Sequence, residues 1–384
     1  MYRIGKEEIE EVARVIESKN LFKINDALKE TEKCGELMRR IFDAKRSLLM
    51  TSGMAALQCA LVGMGIGPGD EVIVPAYTYI ATAMAVVGAG AVPVIADIDE
   101  TYTLDPNEFE KKITERTKAV IPVHIQGFPC DMEKICKIAA EHGIRILEDA
   151  CQADGGSFCG KRLGTIGDAG ALSFNQYKII TAGEGGALLT DDDEIYERAL
   201  IYHDSNAIAF FGDQLSGITQ PQFCGSEFRT NEIAAAVLHK QLLKLDGILC
   251  DLRKNKKYLS NLLSKKYTIA RSNDIYGDCG VTLPVVFKSE DDARAFCANI
   301  RDIAYLPIDT GKHIYSHWTA ILEKRGALNP LMDPFRHPAN APFVPDYENE
   351  VYPNTLDLLA RTVFIWVNPD WSESEMNALA EKVM

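Results

Sequence analysis

Lys178 lies in the stretch SFNQYKIITAGEGG (residues 173–186), five residues after Ser173 and five before a glycine-rich turn. An amine so placed is either a solvated surface charge or a nucleophile, and its neighbours decide which. Ser52 and Gly53 head the run TSGMAALQCAL (51–61). A turn of small residues opening a helix presents free N–H groups and the positive end of a dipole, which suits a phosphate. A plain serine N-cap explains the same residues. Tyr77 and Tyr79, in AYTYIAT (76–82), offer either a face for a flat ligand or ordinary core packing. In EDACQADGG (148–156), Glu148 and Asp149 stand where an apolar run ends. A carboxylate there is costly without a partner, and a protonated pyridine nitrogen would be one. Gln152 can reach the same crevice. A helix N-cap at Asp149 is the structural alternative.

These residues must be positioned by regular elements. Residues 7–18 and 25–43 are helical in pattern. Apolar runs then predict strands at 47–50, 71–75, 92–96, 118–124, 144–148, 169–174 and 186–190, with helical patterns between most of the first five. Such alternation predicts an α/β fold with a mostly parallel central sheet flanked by helices. Residues 231–265 predict one or two long helices that bridge to a smaller α+β domain. A chain of 384 residues suits this division: a large domain with an N-terminal arm over 1–245 and a small C-terminal domain over 246–384.

In open parallel sheets the ligand crevice lies beyond the carboxyl ends of the strands. The phosphate turn, the aromatic, the strand-end carboxylate and Lys178 all come after predicted strands. Together they are the set that pyridoxal 5′-phosphate requires. The lysine forms a Schiff base with the aldehyde, the carboxylate keeps the ring nitrogen protonated so that the ring accepts electrons, and Ser173 adds a hydroxyl to the phosphate site.

Composition excludes other classes. A net charge of −14 argues against nucleic-acid or anionic-membrane binding, and no apolar run reaches a membrane span. The ten cysteines form no CxxC pair and no zinc-spaced cluster, so no metal is expected. The opening MYRIGKEEIEEVARVIESKN lacks the apolar core of a signal peptide. The expected compartment is the cytoplasm, with reduced thiols.

The order TSGMAAL, PAYTYIAT, EDACQADGG, GDAGALSFNQYKIITAGEGGALLT, FRTNEIAAAV, QLLKLD resembles the sugar aminotransferases of the DegT/DnrJ/EryC1/StrS group, which have the fold-type I architecture. The resemblance spans nearly the whole chain. It implies that Lys178 is the Schiff-base lysine and Asp149 the partner of the pyridine nitrogen. It implies Gln152 near the ring hydroxyl, Tyr79 stacked on the ring, and Gly53, Met54 and Ser173 at the phosphate. It further implies a homodimer with active sites at the interface, and pyridoxamine 5′-phosphate as the nitrogen carrier between two half-reactions. One departure stands out: where the family carries an asparagine that reaches the neighbouring subunit's phosphate, GSEFRTNE has Glu227, with Arg229 and Asn231 as candidate replacements.

The implied substrates are a keto sugar, often nucleotide-linked, and a glutamate or glutamine donor. Residues 309–335 and the C-terminal stretch are similar to transaminases of an eight-carbon 8-oxo sugar acid and to inosose aminotransferases. An acidic sugar would use cationic or donor groups, for which Arg229, Lys312, His313 and His317 are candidates; ordinary surface or packing roles explain them equally. Two other functions compete. A related sugar dehydratase carries histidine in place of the lysine, so Lys178 counts against it. A non-catalytic sensor lacks any DNA-binding segment to support it.

Overall fold

The computed structural model describes residues 3–24, 27–204 and 217–384. Strands β1 (Arg46–Met50), β2 (Glu71–Pro75), β3 (Val92–Ala96), β4 (Thr117–Val120) and β5 (Arg145–Asp149) are followed by a short hairpin, β6 (Ser157–Phe158) and β7 (Lys161–Arg162). Strands β8 (Ala169–Ser173) and β9 (Gly186–Thr190) then complete a seven-stranded sheet in the order β1-β9-β8-β5-β4-β2-β3. From β3 to β8 the strands are parallel; β9 runs antiparallel to both β8 and β1. Strands β2, β3, β8 and β9 are buried at every position. Helices on both faces explain why these strands read as continuous apolar runs rather than as alternating ones.

Most boundaries fall within one or two residues of the sequence expectation, and two differ by more. The run 118–124 leaves the sheet after Val120, because Pro122 has no N–H to continue a ladder. Its continuation stays beside β5 through a bond from the His124 N–H to the Asp149 carbonyl (3.0 Å). The helix expected over 25–43 is Glu30–Phe42, with residues 25 and 26 outside the described part. Its first amides, Glu30 and Thr31, donate to the carboxylate of Glu232 at 2.6 and 3.0 Å, so a distant side chain sets where it begins.

Helix Glu232–Leu263 is one 32-residue element, capped by Asn231, whose side chain accepts from the Ala234 N–H. Its buried Leu238, Leu242, Leu245, Leu249 and Leu252 recur at three- and four-residue spacing. The helix packs against helices Lys6–Ser18, Glu30–Phe42 and Glu373–Val383. A second, four-stranded sheet follows: β10 (Thr268–Ile269), β11 (Thr282–Val286), β12 (Ala304–Tyr305) and β13 (Thr362–Trp366), all antiparallel in the order β10-β11-β13-β12. Phe364 of this sheet meets Tyr102 and Phe128 edge-on, with ring centroids 5.1 and 5.8 Å away. Among the described residues no helix is long and apolar enough to cross a membrane, and no cluster of His, Cys, Asp and Glu could hold a metal ion.

Candidate active site

The sheet brings three chain segments against the first turn of helix Gly53–Gly63. A Cβ on Gly53 would lie 2.6 Å from Cys151 Sγ and 2.9 Å from Ser173 Cβ. A Cβ on Gly186 would lie 2.2 Å from the Ser52 carbonyl carbon. Glycine is therefore favoured at both places by lack of room, against side chains at Gly53 and against backbone at Gly186, and not by backbone angle. The Ser52 hydroxyl accepts from the Ala55 N–H at 3.1 Å, so Ser52 is an N-cap. The N–H groups of Gly53 and Met54 find no acceptor among the described residues, as expected for the open end of a helix. With buried Ser173 beside them, they form a cradle suited to a phosphate.

Asp149 ends β5 and is 5% exposed. One carboxylate oxygen accepts from the Thr82 hydroxyl at 2.8 Å, and the other from the Cys151 N–H at 3.1 Å. Both donors are neutral, and no cation pairs with Asp149 among the described residues. A protonated ring nitrogen suits that carboxylate in charge and in hydrogen bonding. Glu148, the adjacent carboxylate, is differently employed. It accepts from the N–H groups of Gly164, Ile166 and Gly167 at 2.9, 2.5 and 2.7 Å and lies 3.0 Å from His124 Nε2. It pins the loop before β8, a role the sequence did not reveal.

Gln152 accepts from the Gln126 N–H at 3.1 Å, which supports Gln126 in a left-handed conformation with φ of 52°. Tyr79 is 42% exposed, whereas Tyr77 is buried at 1%. Only the former presents a face to a ligand. The Tyr79 ring lies 5.5 Å from the His313 ring and 5.5 Å from Lys312 Nζ. Two backbone bonds hold these segments together: the Thr78 N–H to the His313 carbonyl and the Ile80 N–H to the Lys312 carbonyl, both 3.0 Å.

Lys178 sits in the turn after β8, its N–H bonded to the Asn175 carbonyl at 3.1 Å. Its ammonium has no ion-pair partner among the described residues, yet its charge reaches Asp154, Cys151 and His313. Burial, then the Asp149 carboxylate, holds the Cys151 thiol well above its usual range. Burial, followed by the charges of Lys312 and Lys178, pushes the His313 imidazole down to about 4. It is neutral at pH 7, and its buried Nδ1 lacks a partner among the described residues.

The candidate substrate residues divide. His313 and Lys312 stand at the site. His317 is exposed beside Ser316, its Nδ1 3.3 Å from the hydroxyl. Arg229 is bound by Asp204 and Glu227 and lies 5.1 Å from the Phe22 ring. Glu227 thus has a cation of its own. The strip it belongs to runs along the end of β1, where the Thr51 N–H bonds the Phe228 carbonyl at 2.9 Å. Sequence reasoning missed Thr82, Cys151 and Asp154. The signal for Asp154 was present as a carboxylate within QADGG, and that for Thr82 as a hydroxyl at the head of an apolar helix.

Residues 2–289 match the DegT/DnrJ/EryC1/StrS aminotransferase family. The chain belongs to that family. It is a pyridoxal-phosphate-dependent aminotransferase with the fold-type I architecture. It is 32% identical over 396 residues, 99% of this chain and 94% of the other, to the spore coat polysaccharide biosynthesis protein SpsC of Bacillus subtilis. It is 40% identical over 221 residues to the L-glutamine:2-deoxy-scyllo-inosose aminotransferase of Streptomyces kanamyceticus, covering 56% of this chain and 51% of the other. The crystal structure of 3-amino-5-hydroxybenzoic acid synthase superposes with a TM-score of 0.80 at 28% identity, covering 100% and 97% of the two chains.

Proposed function

We propose that this family member moves the amino group of glutamate or glutamine onto a keto sugar, with an 8-oxo eight-carbon sugar acid as the favoured acceptor. The observation that carries the proposal is a set of groups at the carboxyl ends of neighbouring strands: the Lys178 amine, without an ion-pair partner among the described residues, the Asp149 carboxylate, held among those residues by neutral donors, and the open amides of Gly53 and Met54 beside Cys151 and Ser173. When bound there, pyridoxal phosphate supplies an aldehyde and an electron-accepting ring. In this proposal Gly53, Met54 and Ser173 hold the phosphate, Asp149 holds the proton on the ring nitrogen, Tyr79 covers one ring face, and Gln152 neighbours the ring hydroxyl. Lys178 carries the cofactor. Once freed, it is the base that moves a proton at the substrate carbon, tethered close enough to keep the advantage of a positioned group.

For an acidic sugar, Lys312 is the cation that stands beside Tyr79 and supports the acceptor assignment. Arg229 and His317 contribute less, the first being neutralised by two carboxylates and the second lying on the surface. The similarity to an inosose aminotransferase supports a cyclitol as the alternative acceptor, with glutamine as donor. The proposal also covers a cytoplasmic homodimer whose loop 224–231 contributes across the interface. It covers the division into units 1–245 and 246–384 as well, joined within the helix Glu232–Leu263.

The test is in two steps. Borohydride reduction and peptide mapping should place the cofactor on Lys178, and a label on another lysine would refute the assignment. Glutamate or glutamine alone should then bleach the visible band and release the 2-oxo acid, after which a panel of keto sugars identifies the acceptor by mass spectrometry. If neither donor changes the spectrum while a sugar loses water on the enzyme, the dehydratase reading replaces this one.

A further inference from the structure

Gln126 stands between the candidate site and the second sheet. Its backbone N–H donates to Gln152 Oε1 at 3.1 Å, and its own side-chain Oε1 accepts from the Thr282 hydroxyl at 2.9 Å. Thr282 opens β11, is fully buried and lies opposite Trp366 of β13. Gln126 holds φ of 52° and ψ of 25°, a left-handed conformation that a residue with a side chain rarely adopts. Such a conformation persists where the surroundings over-determine it, and here they act from two sides. The His124 N–H bonds the Asp149 carbonyl at 3.0 Å, and the Cys279 N–H bonds the Gly127 carbonyl at 3.1 Å. A Cβ on Gly127 would lie 2.6 Å from Cys279 Cβ, so this segment is pressed against the residues that lead into β11. The direction of the Gln152 bond also carries information. A backbone N–H can only donate, so the Gln152 atom that faces it is the oxygen. The NH2 end of the half-buried Gln152 amide is then left for another partner, and it has no acceptor among the described residues.

We propose that Gln126 is a positioning residue for Gln152, holding its amide so that the NH2 end faces the ring hydroxyl of the cofactor, and that Thr282 fixes Gln126 from the second sheet. The inference rests on the reading that places Gln152 near that hydroxyl. The two bonds join β11 to the turn after β5, across separations of 156 and 26 positions in the chain. Neither Gln126 nor Thr282 touches the cofactor; both act through the Gln152 amide. A donor aimed at the ring oxygen favours the state in which that oxygen carries negative charge. Loss of the proton from the linkage between Lys178 and the cofactor leaves the ring oxygen negative and without an internal partner. The Gln152 NH2 group therefore lowers the pH at which that proton is lost, and a loosened amide raises it.

The experiment is a pH titration of the visible band of the purified holoenzyme without substrate. Gln126→Met keeps the length of the side chain and removes the acceptor for Thr282, and Thr282→Val removes the donor. Each should raise the midpoint by about half a unit, the size of one neutral hydrogen bond. Thr282→Ser should keep the native midpoint. Gln152→Leu should raise it by at least as much, and the double variant Gln126→Met/Gln152→Leu should match Gln152→Leu alone, because coupled residues do not add. A midpoint moved by Gln152→Leu but native in Gln126→Met and Thr282→Val overturns this inference and leaves the placement of Gln152 standing. An unmoved midpoint in Gln152→Leu overturns that placement and the inference with it. Additive shifts in the double variant show that Gln126 acts by another route and also overturn the inference. Should Gln126→Met fail to fold, Thr282→Val takes its place in the double variant, with Thr282→Ser as the rescue.

Discussion

The Thr82 hydroxyl, in the first turn of helix Ala81–Gly88, donates to the Asp149 carboxylate at the end of β5 across 2.8 Å. Residues 67 positions apart thus share one buried hydrogen bond, and the acid proposed to face the cofactor ring owes its orientation to a neutral donor.

Thr82→Val keeps the shape and removes that donor. A hydrogen bond to a charged group contributes about 1.5–3 kcal/mol, so cofactor affinity or turnover should fall about tenfold or more. Thr82→Ser should recover most of it. Equilibrium dialysis of the cofactor and steady-state kinetics measure both, and native values in the valine variant would show that Asp149 is held by other means.

Asp149→Asn addresses the acid itself. Loss of the ring-nitrogen partner should reduce turnover on the order of a hundredfold or more, as removal of a transition-state charge stabiliser does. Circular dichroism should remain native. A near-native rate would mean that another group protonates the ring.

Gly186→Ala places a methyl group 2.2 Å from the Ser52 carbonyl carbon, so backbone must move at the helix start proposed to bind phosphate. The expected cost is about 1–3 kcal/mol, read as a lower melting temperature together with weaker cofactor binding. Gly247→Ala, in an open position of the long helix, is the control and should be neutral or slightly stabilising. Equal behaviour of the two variants would contradict the close approach.

Glu148→Gln replaces an oxygen that accepts from backbone amides by an NH2 that cannot. At least one buried N–H loses its acceptor, at a cost of about 1–3 kcal/mol each. Urea denaturation should show the loss, and an unchanged midpoint would mean that the loop before β8 is held elsewhere.

His313 makes stability depend on pH. Its imidazole is pushed down to about 4 by burial, with Lys312 and Lys178 adding to the effect, whereas an exposed histidine titrates near 6.5. Between these values the unfolded chain binds a proton that the folded chain does not. Stability therefore rises with pH through this window and is lost as pH falls from about 6.5 towards 4, by up to about 3 kcal/mol. Buried His203 is depressed in the same direction. Denaturation curves at several pH values should show a shallower slope for His313→Gln than for the native chain. Identical slopes would remove His313 from the account.

The sequence by itself determined where the candidate residues stand along the chain. Gly53, Asp149, Ser173 and Lys178 each lie at or just beyond the end of an apolar run, and local spacing is enough to find a strand and the residues at its carboxyl end. Parallel strands end on one edge, so the sequence places those four residues at the same side of the sheet. Strand β4 ended early for an equally local reason, Pro122. Only the tertiary structure decided who partners whom. Burial and hydrogen bonding depend on groups that the chain brings in from far away: Thr82 reaches Asp149 across 67 positions, and Arg229 bonds Asp204 across 25. Glu148 and Asp149 are adjacent and of one chemical class, yet the pleat of β5 turns their side chains to opposite faces. One anchors a loop, and the other accepts from two neutral donors, the Thr82 hydroxyl and the Cys151 N–H. Asp154 reads as an ordinary turn residue in QADGG, and its complete burial, with no hydrogen-bond partner for its carboxyl oxygens among the described residues, exists only in the folded chain.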